Sequence, residues 1–214
     1  VVKTAIFLLM SVLVSACSVF GVRSGYEQAS YEVIERLSDR AEVRRYPPLV
    51  AAEATIETAN DSMGRSQAFQ LLFKYISGAN RTNAKVAMTT PVETAAKAET
   101  IAMTVPVERL ADTSAPATLR FFLPASYTLE TAPQPTNPKV RIVELPARTV
   151  AVLRFTGSTG DANVARHVRQ LEALLHATAW QVTGPATALF YDPPWTLPFL
   201  RRNEVALPVR PRAG

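Results

Sequence analysis

The sequence predicts an α+β domain: one continuous, curved antiparallel sheet with two helices on its outside. Two observations carry this prediction. Short β-favouring runs broken by proline, glycine or polar clusters recur along the chain, and only two stretches have helical periodicity. The order strand, helix, strand, strand then appears once in each half, over about residues 31–123 and 139–209. The halves share negligible identity, so the repeat is architectural. Packing them about a pseudo-twofold axis makes the sheet continuous.

The elements follow in order. Tyr31, Val33 and Leu37 alternate with Glu32 and Glu35, and residues 41–46 form a second short strand. Pro47-Pro48 interrupts it, and residues 49–56 continue in a β-favouring run. Asn60, Asp61 and Ser62 offer helix N-caps, Ser77-Gly78 offers a stop, and residues 63–76 between them form the first helix. Residues 119–123 form a strand, and 124–138 a connector punctuated by Pro124, Pro133, Pro135 and Pro138. Strands at 140–145 and 149–156 precede a helix over 162–177, capped by Ser158 or Asp161. A strand at 186–191, a proline-rich loop at 192–200 and a closing strand at 203–209 complete the chain.

A phrase said twice organises the middle. Val86-Ala87-Met88-Thr89-Thr90-Pro91-Val92-Glu93 returns as Ile101-Ala102-Met103-Thr104-Val105-Pro106-Val107-Glu108. Apolar residues alternate up to each proline, the period of a strand with one buried face. The polar, alanine-rich residues 94–100 have the length of a hairpin loop, which sets the two copies side by side with Met88 and Met103 on matching faces. These methionines read as core filling, with thioether ligation the alternative.

The two helices differ. At about 100° per residue, Ala68, Phe69, Leu71, Leu72, Phe73, Tyr75 and Ile76 fill an arc of roughly 200°, wider than a helix on one sheet needs. A second loop or a flat apolar ligand must cover the Leu71–Tyr75 edge. In the second helix Val164, Val168, Leu171, Leu174 and Leu175 fill an ordinary stripe of about 120°. His167 falls inside that stripe, as a core residue or as the one imidazole placed to reach a metal centre; His176 falls opposite.

The 214 residues are 48% apolar and 19% charged, with a formal charge of +5, within the range of one large or two small globular domains. The densest basic clusters, Arg44-Arg45 and Arg201-Arg202, lack the aromatic interleaving of a nucleic-acid surface, so no nucleic-acid partner is expected. There is no Gly-x-Ser-x-Gly elbow, phosphate-cradling glycine loop or dinucleotide fingerprint. Two histidines and one cysteine do not build a zinc site of the usual kinds, and no catalytic residue is assigned. Glu93 and Glu108, the matched ends of the doubled phrase, form the one suggestive acid pair, and they read as exposed strand ends.

The first residues stand apart from this domain. Lys3 gives a short positive region, and residues 5–14 an apolar stretch too short to span a bilayer. Leu13-Val14-Ser15-Ala16-Cys17 follows, ending on the only cysteine, and it resembles the lipobox of bacterial lipoproteins. The resemblance implies a signal peptide over 1–16, lipidation of Cys17 and a tether over 17–30. Ser18 after the cysteine implies export to the outer membrane, facing the periplasm, so the lipid anchor makes the membrane a partner.

Five further phrases resemble one family. Tyr31-Glu32-Val33-Ile34-Glu35, Val43-Arg44-Arg45-Tyr46-Pro47-Pro48, Phe73-Lys74-Tyr75-Ile76-Ser77-Gly78-Ala79-Asn80, the doubled Ala-Met-Thr-x-Pro-Val and Tyr191-Asp192-Pro193-Pro194-Trp195 running into Arg201-Arg202-Asn203-Glu204-Val205 are similar to the SOUL haem-binding proteins. The matches run in order across residues 31–209. The resemblance implies two βαββ halves with pseudo-twofold symmetry forming a distorted antiparallel β-barrel flanked by two helices. It implies haem or another tetrapyrrole as ligand in an apolar groove between the first helix and the loop before the last strand, and the missing catalytic signatures make the binding non-enzymatic. Carried onto this chain, the groove residues are Met63, Ala68, Leu71, Lys74, Tyr75, Tyr191, Trp195, Phe199 and Arg201. Lys74, Arg201 or Arg202 would meet the propionates; the resemblance carries over no iron ligand, and His167 is the candidate axial ligand only by its place in the stripe of the second helix. Two alternatives stay open: a binding module for another apolar small molecule, and a tetrapyrrole-processing enzyme.

Overall fold

The structure is a computed structural model, and it describes residues 27–56, 62–82, 84–87, 89–96, 117–192 and 195–212. The expected signal peptide, Cys17, the start of the tether, Met88 and the second copy of the doubled phrase with Met103 and Glu108 lie outside these residues.

Strands β1 (Glu27–Gln28), β2 (Glu32–Arg36), β3 (Ala41–Tyr46) and β4 (Leu49–Ile56) lead into helix α1 (Ser62–Ile76). Strands β5 (Thr89–Thr90), β6 (Val92–Ala96), β7 (Ala117–Phe122), β8 (Val140–Leu145) and β9 (Arg148–Phe155) follow. Helix α2 (Asp161–His176) precedes β10 (Trp180–Val182), β11 (Thr187–Phe190) and β12 (Asn203–Pro211). The main sheet runs β2-β3-β9-β12-β11-β6-β7-β4-β8, with β10 on the last residues of β12, and every pairing in it is antiparallel. The pair β1–β5 is separate and parallel.

Reading outward from the β11–β6 junction shows the pseudo-twofold. The segments β4-α1-β6-β7 and β9-α2-β11-β12 lie in mirrored order, and each first strand is exchanged: β3 pairs with β9, β8 with β4. Only Pro47-Pro48 separates β3 from β4, although six strand spacings lie between them along the sheet path. A flat sheet would set them about 29 Å apart, whereas two linking residues span about 11 Å at most. The sheet therefore curls into a distorted barrel.

Side-chain alternation sorts the core. Ala52, Ala54, Leu119, Phe121 and Val140 pack outward against Ala68, Leu72, Tyr75 and Ile76 of α1. Val43, Ala151, Leu153, Phe155, Val205 and Leu207 pack against Leu171 and Leu175 of α2. The face away from both helices holds Tyr46, Ala51, Phe122, Val150, Val152, Leu189, Tyr191 and Ala206.

Three local expectations are corrected. The strand of the first doubled copy is split around Pro91, and β6 runs on through residues expected as a hairpin loop. Both edges of β6 are occupied, by β7 and β11, so Val92 and Glu93 have no side-by-side partner from the second copy. Helix α2 starts from Gly160 without a side-chain cap, while Ser158 Oγ accepts from the Gly160 N–H at 3.0 Å. The short strand β10 was not expected.

Candidate functional site

Helix α1 buries Ala68, Leu72, Tyr75 and Ile76, leaves Phe69 and Leu71 half-buried, and exposes Phe73. A second loop borders the Leu71–Tyr75 edge. It is the connector between β7 and β8: the Tyr75 hydroxyl donates to the Pro133 carbonyl at 2.8 Å, and burial with the neighbouring Tyr127 pushes its pKa up to about 12. The recess left between Leu71, Lys74, Tyr75, Pro135, Thr136 and Val140 is about 100 Å³. That is room for about three waters, not for a porphyrin.

The exposed apolar surface lies elsewhere. Met63 at the start of α1 is 70% exposed, Trp195 63% and Phe199 68%. Residues 195–201 are held in place by backbone contacts. The Gly157 N–H donates to the Pro198 carbonyl at 2.8 Å, and Arg201 Nε donates to the Thr196 carbonyl at 2.8 Å. Asn203 Nδ2 returns to the Gly157 carbonyl at 3.1 Å. Gly157 has φ of 105°, a conformation side chains rarely adopt, so glycine is required where the loop meets β9. Four residues on, Asp161 meets Arg65 of α1 at 3.4 Å. The start of α1 and the loop before β12 are thus tied to the same β9–α2 turn.

The expected groove residues therefore divide. Met63, Lys74, Trp195 and Phe199 are exposed, Leu71 and Arg201 are half-buried, and Ala68 and Tyr75 pack beneath α1. Tyr191 is buried on the inner face of the barrel, where its hydroxyl donates to Glu204 Oε2 at 2.7 Å. Arg202 also turns inward, donating to Glu204 Oε1 at 2.7 Å. His167 is buried in the α2 stripe with its ring stacked on Phe155 at 4.0 Å. Its Nδ1 lies 2.8 Å from the Asn163 carbonyl, which only accepts, so Nδ1 carries a hydrogen and donates it. Among the described residues no group of three or more His, Cys, Asp or Glu is placed to hold a metal ion.

The inner face carries a second constellation. Arg141, Glu53, Arg120 and Glu93 are directly opposite one another across β8, β4, β7 and β6. Arg141 Nη2 donates to Glu53 Oε1 at 2.6 Å, Arg120 Nε to Glu53 Oε2 at 2.8 Å and Arg120 Nη1 to Glu93 Oε1 at 2.7 Å. Arg148 also pairs with Glu93. Leu189 continues the row at the pseudo-twofold, and Glu204 and Arg154 follow it. Glu204 takes Arg44 at 2.7 Å as well as Arg202, and Arg44 reaches Glu42 at 2.6 Å. Burial alone would raise the Glu204 pKa; Arg44, Arg202 and the Tyr191 hydroxyl outweigh it and hold the carboxyl below its ordinary value. Burial and the Glu204 charge push the Tyr191 phenol well above its own.

Glu93 is therefore not an exposed strand end: it is fully buried and doubly paired. Its signal in the sequence was a single acid inside an apolar strand, shared by Glu53 and Glu204. The matching arginines become visible only with the register.

Solved structures share the fold. The EcmrR C-terminal domain superposes with a TM-score of 0.60 at 10% identity, covering 85% of this chain and 99% of that one. An uncharacterized conserved protein from Listeria innocua gives 0.58 at 14% identity over 80% of this chain and 92% of its own. A hydrolase from Listeria innocua gives 0.57 at 14% identity, with the same coverage. These likenesses concern the fold alone, and no curated protein matches the sequence. The family model of the SOUL heme-binding protein matches residues 26–208, which take in both halves, both helices and the loop before β12; the chain belongs to the SOUL heme-binding family.

Proposed function

We propose that the protein binds haem or a related tetrapyrrole without processing it, at the surface shared by α1 and residues 195–201. The observation that carries this reading is the exposure of Met63, Trp195 and Phe199 at two segments tied to one turn, in a member of a haem-binding family. Large apolar and aromatic side chains fit a porphyrin face, and cationic side chains fit its propionates. Met63, Leu71, Trp195 and Phe199 supply the apolar contacts, Lys74 and Arg201 meet the propionates, and Ala68, Tyr75 and Tyr191 support the segments from behind. His167 is buried against Phe155 in the α2 stripe and is not part of this exposed surface, so no axial ligand is assigned. When bound, the group supplies iron and a conjugated ring; the chain supplies a dry apolar wall and countercharge. We further propose that the chain is exported and anchored by lipid on Cys17 to the bacterial outer membrane, facing the periplasm.

Haemin titration followed at the Soret band tests the binding. A saturable shift is expected, weakened about tenfold by Trp195→Ala or Phe199→Ala, as loss of a buried aromatic contact implies. No saturable shift overturns the reading, and ring opening or iron release on incubation overturns its non-enzymatic part. Cys17→Ser should move the protein from the membrane fraction to the soluble one; unchanged fractionation overturns the anchor.

A further inference from the structure

The chain turns from β3 into β4 and from β8 into β9 at symmetry-related corners, and the two corners meet. Tyr46 lies opposite Arg148, and Leu49 opposite Leu145. Leu49, Val143 and Leu145 are only partly buried there, although they pack against the inner core. The Arg148 guanidinium sits 5.8 Å from the Tyr46 ring. Its terminal nitrogens serve Glu93, but its Nε–H is buried with no partner. A buried donor left unpaired is rare in native proteins and points to a partner supplied from outside the chain.

Charge on this face selects the sign of that partner. The strands turn Arg44, Arg120, Arg141, Arg148, Arg154 and Arg202 inward, and Glu42, Glu53, Glu93 and Glu204 against them. Among the described residues every buried glutamate is already matched by at least two arginines, so they leave this face no carboxylate for a cation, and its surplus is positive. Arg120, Arg148 and Arg202 keep 18%, 24% and 18% of their side chains exposed, so solvent reaches them. Tyr46 and Tyr191 stay neutral, their phenols raised by burial.

We propose that this corner binds an organic monocarboxylate. One carboxylate oxygen accepts the Arg148 Nε–H, and the apolar body lies on Leu49, Val143 and Leu145. The site is separate from the haem surface and does not depend on it.

The test uses cis-parinaric acid, a fluorescent fatty acid, and its neutral methyl ester, titrated into the purified protein. The acid should bind saturably and the ester about tenfold more weakly or worse, because only the acid makes a charge-assisted hydrogen bond. Arg148→Met should reduce the acid to the level of the ester, and saturating haemin should leave acid binding unchanged. Equal binding of acid and ester, full binding by Arg148→Met or displacement by haemin overturns the proposal. Because Arg148→Met removes one of the two partners of Glu93, a second measurement uses the unaltered chain. Phenylglyoxal modification read by peptide mass spectrometry should be slowed at Arg148 by the acid and unchanged at Arg65 and Arg201. No protection, or protection at Arg65 and Arg201 instead, overturns it.

Discussion

Glu204 keeps its charge where no water reaches it because three donors converge on one carboxylate. Arg44 and Arg202 supply the countercharge, and Tyr191 the third hydrogen bond. Replacing a buried ion pair by apolar residues is often harmless, but removing one partner strands the others. Glu204→Gln should therefore cost about 3–5 kcal/mol in urea denaturation, since it leaves Arg202 without its carboxylate and Arg44 with Glu42 alone. The pH dependence follows from the direction of the shift. The folded-state pKa of Glu204 lies below its ordinary value of 4.5, so the folded protein holds fewer protons than the unfolded chain. Its contribution is complete above the unfolded value and is lost as pH falls through the folded one. Stability of the wild type should drop on that acid side, and the drop should be shallower in Glu204→Gln.

At the scale of elements, α1 and the loop before β12 have separate tasks. The buried side of α1 holds the helix to the sheet, and Leu72 is at its centre with no exposure. Leu72→Ala should destabilise by about 2–5 kcal/mol, whereas Phe73→Ala on the exposed side should cost less than about 1 kcal/mol by the same melt. The helix end was legible in the sequence: Ser77-Gly78 stops it, with Gly78 at φ of 114° and the Ala79 N–H returning to the Lys74 carbonyl at 2.9 Å. Which loop borders its wide apolar arc was not legible, because either proline-rich segment satisfies the pattern. The connector after β7 takes that place through the Tyr75–Pro133 hydrogen bond. Gly157, in the β9–α2 turn, holds the other loop through the Pro198 carbonyl. Gly157→Ala should cost about 1–2 kcal/mol for the left-handed backbone and should also weaken haemin binding, by loosening Pro198.

For the whole molecule, exchange of the first strands makes the halves interdependent. Strand β3 finds its inner partner in β9, and β8 finds its partner in β4. Separate fragments covering residues 31–123 and 139–209 would each leave an exchanged strand without that ladder and with an apolar face uncovered. Each should lack a cooperative thermal transition by far-UV circular dichroism, and mixing the two should restore one. A cooperative transition in either fragment alone would show that the exchange is not what unites them.

The sequence by itself determined the α+β class, the recurrence of elements and both helices with their buried stripes, because periodicity and turn residues are local and each stretch declares its own. It also determined the family, through phrases that keep their order along the chain. Only the tertiary structure decided the charge row of the inner face, the inward turn of Tyr191 and Arg202, and the double pairing of β6. Those depend on which residue of one strand stands opposite which residue of another. Glu93 and Arg120 are 27 positions apart, and Arg44 and Glu204 are 160 apart. A register slip of one residue would send each of them to the opposite face of the sheet. Local pattern carries no information about that register, so the strands had to be assembled before the buried acids acquired partners.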